Sequence, residues 1–238
     1  GKMHRAILVL TIACCSCNSV KHECNPLPPA PHSVAVLGDS RIFDPTPKNF
    51  AGFANYLNQD ATFKYFRNTT FTSEDSDPRT STRTPGSDIY SSVGNTTAYA
   101  LHNLPRVLAG PHDAMLIHLG VNSTGDPIGA SRDLAAIAES ARAKSWQVYI
   151  VTVGPWRGYP TWTQLYQDGT DGINRWIRDQ GVRYSVIDVQ PVVEDREHLQ
   201  YLRADYTWDK LHYTSIAHSA IAADWISHIK TKGCGWDL

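Results

Sequence analysis

At 238 residues the chain suits one domain of ordinary size plus short tails, and its 42% hydrophobic content is enough for one real core. The net charge is −1, from 22 basic and 23 acidic residues with no basic stripe, so electrostatics give no reason to expect a nucleic-acid partner. Cysteines and histidines do not fall into the paired spacing of a zinc site, so no metal is expected.

The chain begins unlike the rest. His4 and Arg5 lead into the apolar run Ala6-Ile7-Leu8-Val9-Leu10-Thr11-Ile12-Ala13. This run is too short to span a bilayer and fits the hydrophobic stretch of an export signal. Ala13-Cys14 meets the small-residue requirement of a lipoprotein signal, although Thr11 stands where leucine is usual. The expected location is therefore exported: periplasmic, extracellular, or lipid-anchored at the cell surface. Cys24 and Cys234 flank the domain; in an oxidising compartment they either tie the two tails together or remain free thiols. Asn25 to Pro31 is proline-dense and reads as a stiff extended linker. The division is residues 1–32 as signal, lipoprotein tether and linker, 33–233 as one domain, and 234–238 as a C-terminal tail.

Ser33-Val34-Ala35-Val36-Leu37-Gly38 is a short apolar run without alternation, the pattern of a strand buried on both faces of a parallel sheet. Residues 114–119, 148–153 and 184–189 repeat it, and Phe63-Lys64-Tyr65-Phe66 is a weaker fifth strand. Helical spacing falls between them, over 50–57, 96–108, 131–144 and 173–179, and again after Ser215, which is placed to cap the last helix. Residues 69–84 are nearly all Ser, Thr, Asp, Arg and Pro and read as a surface loop. Strands alternating with helices predict an α/β domain with a parallel sheet.

Four short segments carry chemistry. Gly38-Asp39-Ser40 follows the first buried strand, where open parallel sheets bind ligands. Asp209-Lys210-Leu211-His212 precedes the last helix. A serine hydroxyl needs a base within reach, and the base needs an orienting acceptor; Asp and His three apart can enter one site from a single turn. Gly94, in the Gly94-Asn95-Thr96 turn, lets a backbone N–H approach a ligand closely. Asn122, in Gly120-Val121-Asn122 after the third buried strand, has an amide suited to a developing oxyanion. Each segment alone is unspecific, but the order Ser, Gly, Asn, then Asp with His resembles the SGNH hydrolase superfamily, also called GDSL esterases.

That resemblance spans residues 34–229. It implies a three-layer α/β/α sandwich with a mostly parallel, flavodoxin-like five-stranded sheet, acyl-enzyme chemistry and no cofactor. It implies Ser40 as nucleophile, His212 as base and Asp209 as the acceptor orienting His212. The implied oxyanion hole is the N–H of Ser40, the N–H of Gly94 and the side-chain amide of Asn122, each donor typically worth ~3 kcal/mol of barrier. The sequence departs from the family's blocks at Ser123, where aspartate is usual, which predicts altered loop support. It departs again at Arg41, usually apolar, which either pairs locally or meets an anionic substrate group.

The segment from Gly154 through Trp156, Tyr159 and Trp162 to Tyr166 should sit beside the cleft, with Trp208 adding to it. These aromatic faces either stack on a sugar ring or line an acyl pocket, or else only buttress the loop. His118, inside a strand, reads as a hydrogen-bonded core histidine. The expected partner is an ester substrate, such as an acetylated carbohydrate or another small acyl ester, with membrane contact only through an N-terminal lipid anchor. Lipase, thioesterase or acyltransferase chemistry on the same fold, or non-catalytic glycan binding, are the competing readings.

Overall fold

The computed structural model describes residues 27–46, 51–59, 62–73 and 90–232. The expected export signal, Cys14, the Cys24–Cys234 pair and the 234–238 tail lie outside these residues, as does most of the Ser/Thr-rich loop.

Five strands form the sheet: β1 (Ser33–Gly38), β2 (Thr70–Thr72), β3 (Ala114–His118), β4 (Gln147–Val151) and β5 (Ser185–Ile187). All pair in parallel, in the order β2-β1-β3-β4-β5. The helices are α1 (Ala54–Leu57), α2 (Thr97–Leu108), α3 (Pro127–Ala143), α4 (Gln164–Asp179), α5 (Gln190–Val193) and α6 (Ser215–Lys232). Alternate strand residues face opposite ways. Val34, Val36, Leu116 and Val151 pack with α1, α5 and α6. Ala35, Leu37, Ile117 and Ile150 pack with α2, α3 and α4. Both faces are covered, which is why the strands read as unbroken apolar runs. The result is a three-layer α/β/α sandwich with the flavodoxin-like strand order.

From β1 the chain moves outward to β2, then returns to form β3 on the other side. The loops leaving β1 and β3 therefore diverge and open a crevice at the carboxyl end of the sheet. Ser40 follows β1 and Asn122 follows β3, so the topology alone brings these two segments side by side.

Several elements differ from expectation. Phe63 to Phe66 is not a strand. Phe63, Tyr65 and Phe66 are all buried, and the Phe66 ring meets Trp225 and Tyr149 at 5.1 and 6.2 Å. Three apolar side chains in four residues all pack on one core, which the alternating faces of a strand forbid. The edge strand is instead Thr70–Thr72, at the start of the stretch expected to be a loop. Helix α3 starts at Pro127 because the Asp126 side chain accepts from Gly129 N–H. Helix α4 starts at Gln164, capped by Thr163, so it absorbs Tyr166 from the aromatic segment. Thr214, not Ser215, caps α6: its hydroxyl accepts from Ala217 N–H, while Ser215 donates to Asp44.

Candidate active site

Asp39 leaves β1 in an extended conformation, and Ser40 opens a 3-10 turn over Ser40–Ile42. The Asp39 carboxylate accepts from the N–H of Arg41 and from those of Gly120 and Val121, so it braces the Ser40 turn against the loop after β3. Complete burial raises its pKa to about 6, against the lowering effect of these N–H groups and of the Arg41 charge.

The second half of the site lies in the loop before α6. Thr207 and Tyr213 pair across its neck. Within it, Asp209 Oδ1 accepts from the N–H of Leu211 at 2.9 Å and of His212 at 2.8 Å. Lys210 adopts φ +74° to let the chain turn back. This turn aims both side chains the same way. His212 Nδ1–H donates to Asp209 Oδ2 at 2.6 Å, and Ser40 Oγ–H donates to His212 Nε2 at 2.9 Å. A carboxylate can only accept, so its bond fixes the proton on Nδ1 and leaves Nε2 as acceptor. Partial burial works to raise the Asp209 pKa, but the two N–H groups and the imidazole outweigh it and hold the group below the ordinary carboxylate value. The structure thus brings Ser40, His212 and Asp209 into one hydrogen-bonded line, although 172 positions separate Ser40 from His212.

Gly94 and Asn122 line the same cleft, a cavity of about 510 Å³ that also contains Ser40 and His212. Gly94 sits at φ +74°, where any other residue is strained. Among the described residues, neither the Ser40 nor the Gly94 N–H has a protein acceptor. Asn122 donates one amide hydrogen to Asn95 O at 3.0 Å, which leaves the second free for the cleft. Asn95, buried, donates its own amide to Gly38 O at 3.0 Å. Asn95 thus holds Asn122 and the end of β1 together. Sequence reading passed over it; its only signal is that it follows the glycine of the turn. Ser123, the departure noted above, is also accounted for. Its hydroxyl accepts from Thr97 N–H at 3.0 Å, and Thr97 Oγ1 donates to the buried Asp133 of α3 at 3.1 Å.

The aromatic segment divides. Tyr159 lines the cleft and meets the His212 ring edge-on at 6.4 Å. Trp208, 49% exposed, lies nearly parallel to the His212 ring, with centroids 5.6 Å apart. Trp156 lines the cleft but is buried, its indole N–H donating to Thr170; it is a wall, not a free platform. Trp162 packs elsewhere, donating to Gln167 and lying under the Arg157 guanidinium. Two expectations are corrected. Arg41 is 1% exposed and donates to the backbone oxygens of Leu211, Gly154 and Pro155, so it meets no substrate group. His118 is buried as expected, yet among the described residues neither ring nitrogen has a hydrogen-bond partner, and burial drives its pKa down to about 3.

No family model matches the sequence, and no curated protein matches it significantly. Solved structures do match the fold. A protein assigned to the G-D-S-L lipolytic family of Desulfitobacterium hafniense is 12% identical, with a TM-score of 0.61 over 82% of this chain and 98% of its own. A GDSL-like lipase from Bacteroides thetaiotaomicron is 16% identical, with a TM-score of 0.60 over 84% and 88% of the two chains. The esterase EstA of a Pseudoalteromonas species, solved inhibited by monoethylphosphonate, is 15% identical, with a TM-score of 0.54 over 84% and 97%. At these identities the likeness is one of fold: the chain has the fold of the G-D-S-L lipolytic proteins.

Proposed function

We propose that this chain is a serine ester hydrolase of the SGNH/GDSL type that works through an acyl-enzyme. One observation carries the reading: a hydroxyl, an imidazole and a carboxylate share a hydrogen-bonded line at a cleft that Gly94 and Asn122 also line. In the first half-reaction Ser40 Oγ attacks the ester carbonyl carbon and its proton passes to His212 Nε2. The negative oxygen of the tetrahedral intermediate accepts from the N–H of Ser40, the N–H of Gly94 and the amide of Asn122. The C–O bond then breaks, and His212 returns the proton to the departing alcohol. A water molecule, deprotonated by His212, repeats the sequence on the acyl-serine, releasing the acid and restoring Ser40. Asp209 keeps Nδ1 protonated and stabilises the imidazolium. No step calls for a cofactor.

A small acyl ester, such as an O-acetyl group on a glycan, is the substrate class we favour. Its support is the modest cleft volume and, beside His212, the exposed Trp208 and the half-buried Tyr159, faces that suit a sugar ring. Export directed by residues 1–32 belongs to the same proposal, and N-terminal sequencing of secreted protein would check it. Hydrolysis of p-nitrophenyl acetate by the wild type, lost in Ser40→Ala, tests the enzyme reading. Equal rates for the two proteins would reject it and leave glycan binding without catalysis as the better account. Rates that fall steadily as the acyl chain of the ester lengthens, with acetate released from acetylated polysaccharide, would support the substrate class; a preference for long chains would exclude it.

A further inference from the structure

Arg41 directly follows the nucleophile and is almost wholly buried. Among the described residues no carboxylate lies within ion-pair distance of its guanidinium. Three backbone oxygens take that role instead. Nε donates to Leu211 O at 3.0 Å, Nη1 to Gly154 O at 2.7 Å and Nη2 to Pro155 O. The guanidinium carbon also sits over the Tyr213 ring at 4.9 Å. Burying a cation is costly unless its hydrogens are satisfied, so these contacts are held firmly.

What they connect is specific. Leu211 precedes His212. Gly154 and Pro155 precede Trp156, a wall of the cleft. Arg41 is in the same 3-10 turn as Ser40. One planar group therefore joins the turn carrying the hydroxyl, the loop carrying the imidazole and the loop carrying the wall. Arg41 and Leu211 are 170 positions apart. Lysine cannot reproduce the fork, because its three hydrogens radiate from one atom.

We propose that Arg41 is a positioning residue: its guanidinium sets the Ser40–His212 distance by gripping the backbone on both sides of the cleft. This inference rests on the ester-hydrolase reading above. It goes further by giving the residue after the nucleophile a role in turnover without contact to substrate.

The test compares wild type, Ser40→Ala, Arg41→Lys and Arg41→Gln on p-nitrophenyl acetate, with kcat and KM normalised to folded protein by near-ultraviolet circular dichroism. A misplacement of about 1 Å costs on the order of a hundredfold in rate, so Arg41→Lys should lose about tenfold to a hundredfold in kcat while KM changes by less than about threefold. Arg41→Gln should be no better. A merely structural role would lower melting temperature and leave kcat per folded molecule intact. Activity in the wild type with an unchanged kcat in a folded Arg41 variant would overturn this inference and leave the hydrolase reading standing. An inactive wild type would overturn the hydrolase reading itself. Failure of both Arg41 variants to fold would make the residue structural and also overturn the inference.

Discussion

Gly94 illustrates how single positions govern this site. Its φ of +74° favours glycine, yet among the described residues beyond its chain neighbours no atom lies within 4 Å of where a Cβ would stand. Gly94→Ala should therefore cost backbone strain alone, about 1–2 kcal/mol, and should lower kcat by turning its N–H away from the cleft. Thermal melts and steady-state kinetics on one preparation check both. Asn122→Ala removes one of the three proposed oxyanion donors and should reduce kcat by about a hundredfold or more with little change in KM; a loss confined to KM would mean that the amide binds ground-state substrate instead. His118 is a different case. Its two ring nitrogens are buried between Phe53 and Tyr213, without partners among the described residues. His118→Phe should stabilise the fold by about 1–3 kcal/mol, seen as a higher melting temperature. Position in a buried strand is readable from sequence; the absence of a partner is not, because it depends on which side chains reach across from other elements.

Among the elements, the turn from Asp209 to His212 and the join between α2 and the Asn122 loop do most to hold the geometry. Lys210 carries a positive φ without being glycine. Lys210→Gly should leave activity intact and raise stability or leave it level. Lys210→Val should destabilise by about 1–2 kcal/mol and impair kcat, because both catalytic candidates leave this turn. At the other join, Thr96 takes the Tyr99 N–H and Ser123 takes that of Thr97, so the Asn122 loop helps cap α2. Ser123→Ala should cost about 1 kcal/mol, as other lost caps do, with a matching fall in kcat through Asn122. The altered support expected from Ser123 is thus a serine–threonine–aspartate chain reaching α3. Its aspartate, Asp133, lies ten positions beyond Ser123, too far for a local motif to reveal. The central strands were legible because burial on both faces leaves an unbroken apolar run. Strand β2 was not: Thr-Phe-Thr at a sheet edge has the composition of the loop that follows it. The start of α4 was hidden because its first turn reads as part of an aromatic loop.

At the scale of the molecule, buried ionisable groups around Ser40 set the response to pH. His118 and His218 are held neutral, with pKa values pushed down to about 3 and about 4 by burial. The unfolded chain takes up these protons near pH 6.5, so stability falls as pH drops below that value toward 3. Asp39 works in the opposite sense. Its pKa, raised to about 6 by burial, makes the native state the better proton binder between about pH 4 and 6. Two histidines displaced further than one aspartate win, so urea denaturation midpoints should decline from pH 7 to pH 4, and His118→Phe should flatten the decline. The class of fold was legible because a parallel sheet places every strand exit on one edge, whatever the distance in sequence; Ser40, Asp209 and His212 were legible only as short motifs, which the fold then joins by hydrogen bonds. Arg41 and the tryptophans were not, since whether such a side chain faces the cleft or the core depends on neighbours hundreds of atoms away in the chain. Covalent attack by an ethylphosphonate ester reagent, mapped by peptide mass spectrometry, tests directly whether Ser40 is the nucleophile. One phosphonyl group per molecule is expected, on Ser40, with labelling greatly slowed in His212→Ala. An adduct on another residue, or equal labelling of Ser40→Ala, would contradict it.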